Sequence, residues 1–259
     1  MPQSDIDQQL LSAVHAGIAA KVSEMLACGS DPRRENCRAL REAAGLGYAE
    51  CVRVLLPVSD PKAADCHALR VAAGNGQAEC VRLLLPASDA KACDSHALRM
   101  AAQGGHAKCV RLLLPVSDPR ARDSYALRAA AWNGHVECVR LLLPVSEAKA
   151  EDCHAIELAA RSGQAECVRL LLPVSGPLCE INGLLEKVLE SGQAKVAALL
   201  IEEEPRLVDG VDLSKCLAVA LENGHEDMAG LLSSIIDKRE LMDVAPDAAA
   251  CGGRWHARL

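Results

Sequence analysis

The sequence predicts an all-α fold, an extended solenoid of about eight stacked helix-turn-helix units with little or no β-hairpin. Three observations carry that prediction. Glycine recurs at 17, 47, 76, 105, 134, 163, 192 and 224 among similar neighbours, in steps of 30, then 29 five times, then 32. A fixed period in the range of roughly 20–50 residues marks an array whose units cannot bury an apolar face alone and borrow it from their neighbours. Each copy holds two short stretches of apolar residues at helical spacing, divided by the glycine and closed by a proline. No stretch alternates apolar and polar residues over the length of a strand, so no sheet is expected.

The elements follow in order from one well-preserved copy, residues 66–86. Leu69, Ala72 and Ala73 fall at i, i+3 and i+4, a single apolar stripe on a first helix. The Asp, Cys or Ser just before it stands where a helix N-cap belongs. Gly76 ends the helix by accepting left-handed backbone. A second helix through Ala78, Cys80, Val81, Leu83, Leu84 and Leu85 is apolar over most of its circumference, because it touches neighbours on both sides. Pro86 marks its end, since proline cannot continue helical hydrogen bonding. The connecting segment 58–65 is turn chemistry, with Asp60-Pro61 biased away from helix. Helices of about nine residues do not persist alone in water, so stacking supplies the stability.

Read this way, the array spans residues 1–236, with units near 6–35, 36–64, 65–93, 94–122, 123–151, 152–180, 181–211 and 212–236. Residues 237–259 are expected to form a partly disordered tail. The first unit and the last two are irregular. The seventh and eighth are read with charge in place of the paired alanines and with a longer loop at 202–206. Terminal units of an array need a polar outer face to prevent end-on polymerisation, which makes capping the expected role.

Composition narrows the class. Half of the 259 residues are hydrophobic, yet Phe is absent and only Tyr48, Tyr125, Trp132 and Trp255 are aromatic. A core of Leu, Val, Ala and Cys suits thin identical layers. No apolar run approaches the roughly 20 residues of a membrane span, and residues 1–9 carry Asp5 and Asp7 without a basic region, so no secretory signal is read. Net charge is −7, which argues against a general nucleic-acid binder. The charge is uneven: residues 1–150 hold 18 Lys and Arg against 16 Asp and Glu, and residues 151–259 hold 10 against 19. Five of the 13 cysteines, at 51, 80, 109, 138 and 167, share one column. Layers about 10 Å apart hold their Cα atoms beyond the roughly 7 Å a disulfide permits. These cysteines are read as small buried hydrophobes in a reducing cytoplasm.

The unit resembles the ankyrin repeat. Family units read Thr-Pro-Leu-His-x-Ala-Ala-x-x-Gly-His, then a Val- and Leu-rich second helix, then Gly-Ala-Asp-x-Asn-Ala and a β-hairpin finger. Here the first block appears as His-Ala-Leu-Arg-x-Ala-Ala-x-x-Gly-(His/Gln), the second as Cys-Val-Arg-Leu-Leu-Leu and the third as Ser-Asp-Pro-Lys-Ala. The likeness covers about residues 6–236. A family unit is about 33 residues long, and the four missing here fall in the finger, so the fingers are expected to be tight turns. His-Ala at 67/68, 96/97 and 154/155, and Tyr-Ala at 125/126, replace the family's Thr-Pro. The resemblance implies a non-enzymatic protein-binding module whose contacts, lacking fingertips, come from a concave first-helix side. It also implies that such proteins, where repeats have expanded in a bacterial genome, include effectors delivered into host cells. No delivery signal is readable.

Several positions are candidates for partner contact. Arg41, Arg70, Arg99 and Arg128 form a ladder on the first helices with no acid at i+3 or i+4, and the column turns acidic at Glu157 and Glu186. Such a stripe suits an acidic partner segment; alternatively, long Arg stems cover the seam between units and hydrogen-bond the preceding turn. Residues before the periodic glycine vary between copies, among them Leu46, Asn75, Gln103, Trp132, Asn133 and Arg161, and Met100 varies in its own column. Trp132 beside Tyr125 is the best interface anchor, since Trp, Tyr and Arg are enriched in binding hot spots; the opposing reading folds it onto its own array. Glu50/Arg53, Glu79/Arg82, Glu137/Arg140 and Glu166/Arg169 on the second helices read as a solvated ion-paired face.

The pairs Cys66/His67, Cys153/His154 and Cys93/His96 sit in different layers and do not converge as the four ligands of zinc must. Gly45 to Glu50 resembles a dinucleotide loop but lacks its third glycine and a preceding strand. Catalytic residue types occur only in repeated columns, never in one singular pocket. The protein is therefore expected to be monomeric and cytoplasmic, to need no cofactor and no metal, and to bind another protein. The alternative is an acidic docking or inhibitory element of a larger assembly, built on Glu202, Glu203, Glu204, Asp209 and Asp212.

Overall fold

The computed structural model describes residues 3–147, 150–174, 178–203, 205–208 and 211–244. Among these it contains sixteen α-helices and no strand, as the sequence predicts. The molecule divides into two compact units, residues 1–159 with 166–175, and residues 160–165 with 176–259.

In the first unit the helices alternate. The first helices of successive repeats are α1 (Gln3–His15), α3 (Arg34–Leu46), α5 (Ala63–Gly74), α7 (Ala92–Gln103), α9 (Ala121–Trp132) and α11 (Ala150–Arg161). The second helices are α2 (Ala19–Ala27), α4 (Ala49–Leu55), α6 (Ala78–Leu84), α8 (Ala107–Leu113), α10 (Val136–Leu142) and α12 (Ala165–Leu171). From α1 to α9 each first helix packs on the next, and from α2 to α10 the second helices form a parallel row. The core is columnar. Leu40, Leu69, Leu98 and Leu127 share one column, Val52, Val81, Val110 and Val139 another, and all are fully buried. Paired alanines such as Ala72/Ala73 and Ala101/Ala102 are also fully buried, which lets neighbouring first helices approach closely.

The glycine between the two helices is required for two reasons, and Gly105 shows both. Its φ is +75°, a left-handed conformation, and a Cβ there would stand 2.5 Å from Nδ1 of His135 in the next repeat. Nε2 of His135 donates to the Gln103 carbonyl at 3.0 Å, and His106 does the same to Gly74 at 2.9 Å. Each ring therefore pins one repeat to the one before it.

The start of each first helix differs from the sequence expectation. Residues Glu35–Cys37, Ala64–Cys66, Cys93–Ser95 and Arg122–Ser124 form one left-handed turn apiece, with φ between 49° and 57°. Regular helix begins only after them. The Cys and Ser side chains expected as N-caps do not cap. Instead each accepts a backbone N–H from the connecting loop that closes its own repeat: Asp60 on Cys37 Sγ and Asp89 on Cys66 Sγ, each at 3.2 Å, Asp118 on Ser95 Oγ at 2.8 Å, and Glu147 on Ser124 Oγ at 2.9 Å. The connecting loop itself is held by Asp60, Asp89 and Asp118, whose carboxylates accept from the backbone N–H two residues on. Nor does the proline end the second helix abruptly. It lies inside a 3₁₀ turn, as in Leu56–Val58 and Leu85–Ala87, that tightens the exit.

The second unit contains α13 (Leu178–Glu190), α14 (Ala194–Glu203), α15 (Leu213–Glu222) and α16 (Glu226–Val244). Charge does not replace the paired alanines here. Val188 and Leu189 occupy those positions in α13 and are buried, and in α15 Ala220 is buried while Leu221 is exposed. Asp212 caps α15, its Oδ1 accepting from the Lys215 N–H at 3.0 Å. α16 runs through position 236, where the sequence reading ends the array; residues 245–259, including Trp255, lie outside the described residues.

Candidate partner-binding surface

Three of the ladder arginines turn inward to their own repeats. In α7, Arg99 is only 8% exposed, and its Nε and Nη2 donate to the Asp94 and Cys93 carbonyls at 3.1 and 2.8 Å. Arg70 donates to the Ala64 carbonyl at 3.1 Å and Arg128 to the Arg122 carbonyl at 3.0 Å. All of these carbonyls belong to the left-handed turns. The arginine six residues on closes each turn, filling acceptors that the broken helical ladder leaves open. Burial, then the nearby Arg122, pulls the Arg99 guanidinium below its ordinary value.

Rings separate the arginines. Tyr125 lies between Arg99 and Arg128, whose guanidinium carbons are 5.5 and 5.8 Å from its ring centre, within cation–π range. His96 stands in the equivalent place, with Nδ1 3.5 Å from Nη1 of Arg70. Burial first and the flanking arginines second hold His67 and His96 below the usual histidine range. Both rings are thus suited to remain neutral spacers between cations.

The exposed part of this face lies at the C-terminal ends of the first helices. Leu46, Met100 and Trp132 are 48%, 36% and 46% exposed. Referred to a single repeat, Met100, Trp132 and Leu46 fall at i, i+3 and i+4 of one helix, so they share a face. Asn75 and Gln103 lie on that face too, and Asn75 Nδ2 donates to the Gly45 carbonyl of the preceding repeat at 2.9 Å. Asn133 is exposed and donates to the Ala129 carbonyl at 2.8 Å. Arg161 ends α11 and falls within the second compact unit.

Other clusters are spent on internal pairing. Between α1 and α3 a cleft of about 560 Å³ is lined by Asp7, His15, Arg34, Glu35 and Arg38 among others. Arg34 bonds Asp7, Arg38 bonds Glu35, and both Arg38 and His15 bond Glu42. Burial alone would raise the Glu42 carboxyl, but the hydrogen bonds from Arg38 and His15 outweigh it and hold the group below its ordinary value. On the second helices Glu50–Arg53, Glu79–Arg82 and Glu137–Arg140 pair as expected, and Arg53 reaches Glu79 of the next repeat at 3.6 Å. The cysteine column is fully buried. Burial pushes the thiols of Cys80, Cys109, Cys138 and Cys167 up to about 11, with Glu79, Glu137 and Glu166 adding to the effect at three of them. Protonated thiols are neither nucleophiles nor metal ligands at neutral pH. Among the described residues no group of three or more His, Cys, Asp or Glu is placed to hold a metal ion; the side chain of Cys153 lies outside them. No helix among them is long and apolar enough to cross a membrane.

The left-handed turns and their arginine clasps were not predicted as a unit, although hydrogen bonding of an Arg to the preceding turn was one of the two readings of the ladder. Comparison with known families gives one match, described as ankyrin repeats (3 copies), over residues 10–94, 69–154 and 98–183. No curated relative matches the protein.

Proposed function

The protein belongs to the ankyrin-repeat family, whose repeats are generally protein–protein interaction modules, and from that premise we propose that it binds a protein partner on the first-helix face of residues 36–135. The observation that carries this reading is the set of exposed apolar side chains Leu46, Met100 and Trp132 on the helix faces that vary between otherwise copied repeats. Packing dictates the residue at the buried columns and leaves it open here. A Trp nearly half exposed in a protein with four aromatics supplies large, rigid contact area.

The arginine ladder contributes differently. Arg70, Arg99 and Arg128 shape the face by holding the turns and ring spacers in place, and the apolar tips with Gln103 and Asn133 make the contact. No step of chemistry is assigned to the face, in keeping with a family that is typically non-enzymatic. A monomer working in the cytoplasm fits the buried, unpaired cysteines. The acidic alternative is less well supported: Asp212 is engaged as a helix cap, and Glu204 and Asp209 lie outside the described residues.

The test is a Trp132→Ala variant compared with the unaltered protein for partner capture at moderate and high salt. Loss of capture with little salt dependence supports the apolar face. Undiminished capture, or capture abolished only by charge reversal at Glu202 and Glu203, contradicts it.

A further inference from the structure

A depression of about 430 Å³ opens on the first-helix face between α3 and α5, with Arg41, Glu42, Gly45, Leu46, His67 and Val71 in its lining. Arg41 is the ladder member in the second repeat, and it breaks the pattern of the other three. Among the described residues it makes no hydrogen bond or ion pair; its Nε is buried without an acceptor, as is that of Arg128, but Arg128 bonds its turn through a terminal nitrogen and Arg41 does not. Arg70, Arg99 and Arg128 each give a terminal nitrogen to a carbonyl of their own turn, whereas the terminal nitrogens of Arg41 have no acceptor among the described residues and are left for one offered from outside.

The cause is local. In the third, fourth and fifth repeats a ring (His67, His96, Tyr125) precedes the ladder arginine by three residues, and the arginine bonds its own turn. In the second repeat that position is Arg38, which pairs with Glu35 and Glu42. The one carboxylate in the depression, Glu42, is thus already satisfied by Arg38 and His15, and Arg41 is left over. Arg38 engages both Glu35 and Glu42, so Arg41 is left with no direct ion-pair partner among the described residues, beside an apolar wall of Leu46 and Val71. Gly45 keeps the depression open on that side: a Cβ there would stand 2.6 Å from Cγ1 of Val71.

We infer that this depression anchors a carboxylate of the partner, an Asp or Glu side chain or a terminal carboxylate, carried on a peptide segment whose neighbouring apolar group rests on Leu46 and Val71. The two terminal nitrogens of the Arg41 guanidinium, which no group among the described residues engages, are suited to bidentate pairing with a carboxylate. A single unpaired guanidinium with an apolar wall suits a peptide better than a polyanion, and the protein's net charge of −7 repels nucleic acid. The inference rests on the binding-face reading above and adds the chemistry of one anchor to it.

A library of random displayed peptides panned against the full-length protein tests it, followed by anisotropy titration of the selected peptides. The selected peptides are expected to share an Asp or Glu, or a free terminal carboxylate, and its replacement by the matching amide to weaken binding about tenfold. Arg41→Gln is expected to cost the same factor, with the two changes together costing no more than either alone. Thermal unfolding of Arg41→Gln is expected at a temperature no lower than that of the unaltered protein, because Arg41 bonds nothing among the described residues and the change removes a buried donor without an acceptor. Peptides without a shared carboxylate, or equally bound by Arg41→Gln but lost on Trp132→Ala, overturn the carboxylate anchor and leave the face intact. Peptides indifferent to both changes overturn the face as well. A concentration-dependent dimer dissolved by Arg41→Gln would assign the depression to a second copy of the protein and also overturn the proposal.

Discussion

At the residue scale the cysteine column shows how burial sets chemistry. A thiol in the unfolded state titrates near 9.0, and in the folded state Cys80, Cys109, Cys138 and Cys167 are pushed up to about 11. Below the unfolded value both states hold the proton and pH has no effect through these groups. Between about pH 9 and about 11 the unfolded state releases protons that the folded state retains, so folding stability falls as pH rises. Cys80→Ala is expected to flatten that fall, as measured by urea unfolding at stepped pH. In the native protein at pH 8, iodoacetamide is expected to label the exposed Cys28 and Cys93 and to spare the column, as read by peptide mass mapping. Gly105 offers a second test at this scale: Gly105→Ala combines positive φ with a Cβ driven into the His135 ring, and is expected to cost about 1–3 kcal/mol of stability.

At the element scale the informative feature is the left-handed turn that opens each first helix. A non-Gly residue there costs roughly 1–2 kcal/mol. Ala64→Gly, with φ of 49° and an exposed side chain, is therefore expected to stabilise the protein by roughly 0.5–1 kcal/mol, measured as a rise in unfolding midpoint. Arg99→Ala is expected to destabilise by about 1–3 kcal/mol, because it frees two carbonyls of its left-handed turn; Arg41→Ala, with no such bonds, is not. Helix pairs, their buried columns and the reduced fingers were legible in the sequence, because apolar spacing and glycine position report them directly. The turns were not. Their first residues, Glu35, Ala64, Cys93 and Arg122, carry no mark of left-handed backbone and glycine is absent; Asn36, Asp65, Asp94 and Asp123 at the centres do favour it, but an Asn or Asp before an apolar stripe reads equally as a helix cap. The interloop bonds of Cys66 and Ser95 were equally hidden, since each depends on a loop 23 residues ahead and a local reading assigns such side chains to caps. The same limit applies to the surface. Repetition marked Leu46, Met100 and Trp132 as free to vary; the ladder alone does not separate Arg41 from Arg70, Arg99 and Arg128, and the meaning of Arg38 in the place of a ring shows only in the geometry, where Arg38 takes up Glu35 and Glu42.

At the scale of the whole molecule the first compact unit is quasi-one-dimensional, each repeat touching only its neighbours, so stability is a sum of unit and interface contributions. Excising one period within it, residues 94–122, is expected to leave a cooperatively folding protein with a smaller denaturant m-value, since less surface is exposed on unfolding. Excising only residues 94–117 breaks the period, so the buried columns on either side of the junction no longer meet, and cooperative unfolding is expected to be lost. The first-helix face is the claim on which function depends, and hydrogen–deuterium exchange of the full-length protein with and without a panned peptide tests it most directly. The account predicts slowed exchange at the C-terminal ends of α3, α7 and α9, around Leu46, Met100 to Gln103, and Trp132. Protection confined to the second helices or to residues 178–244 would contradict it.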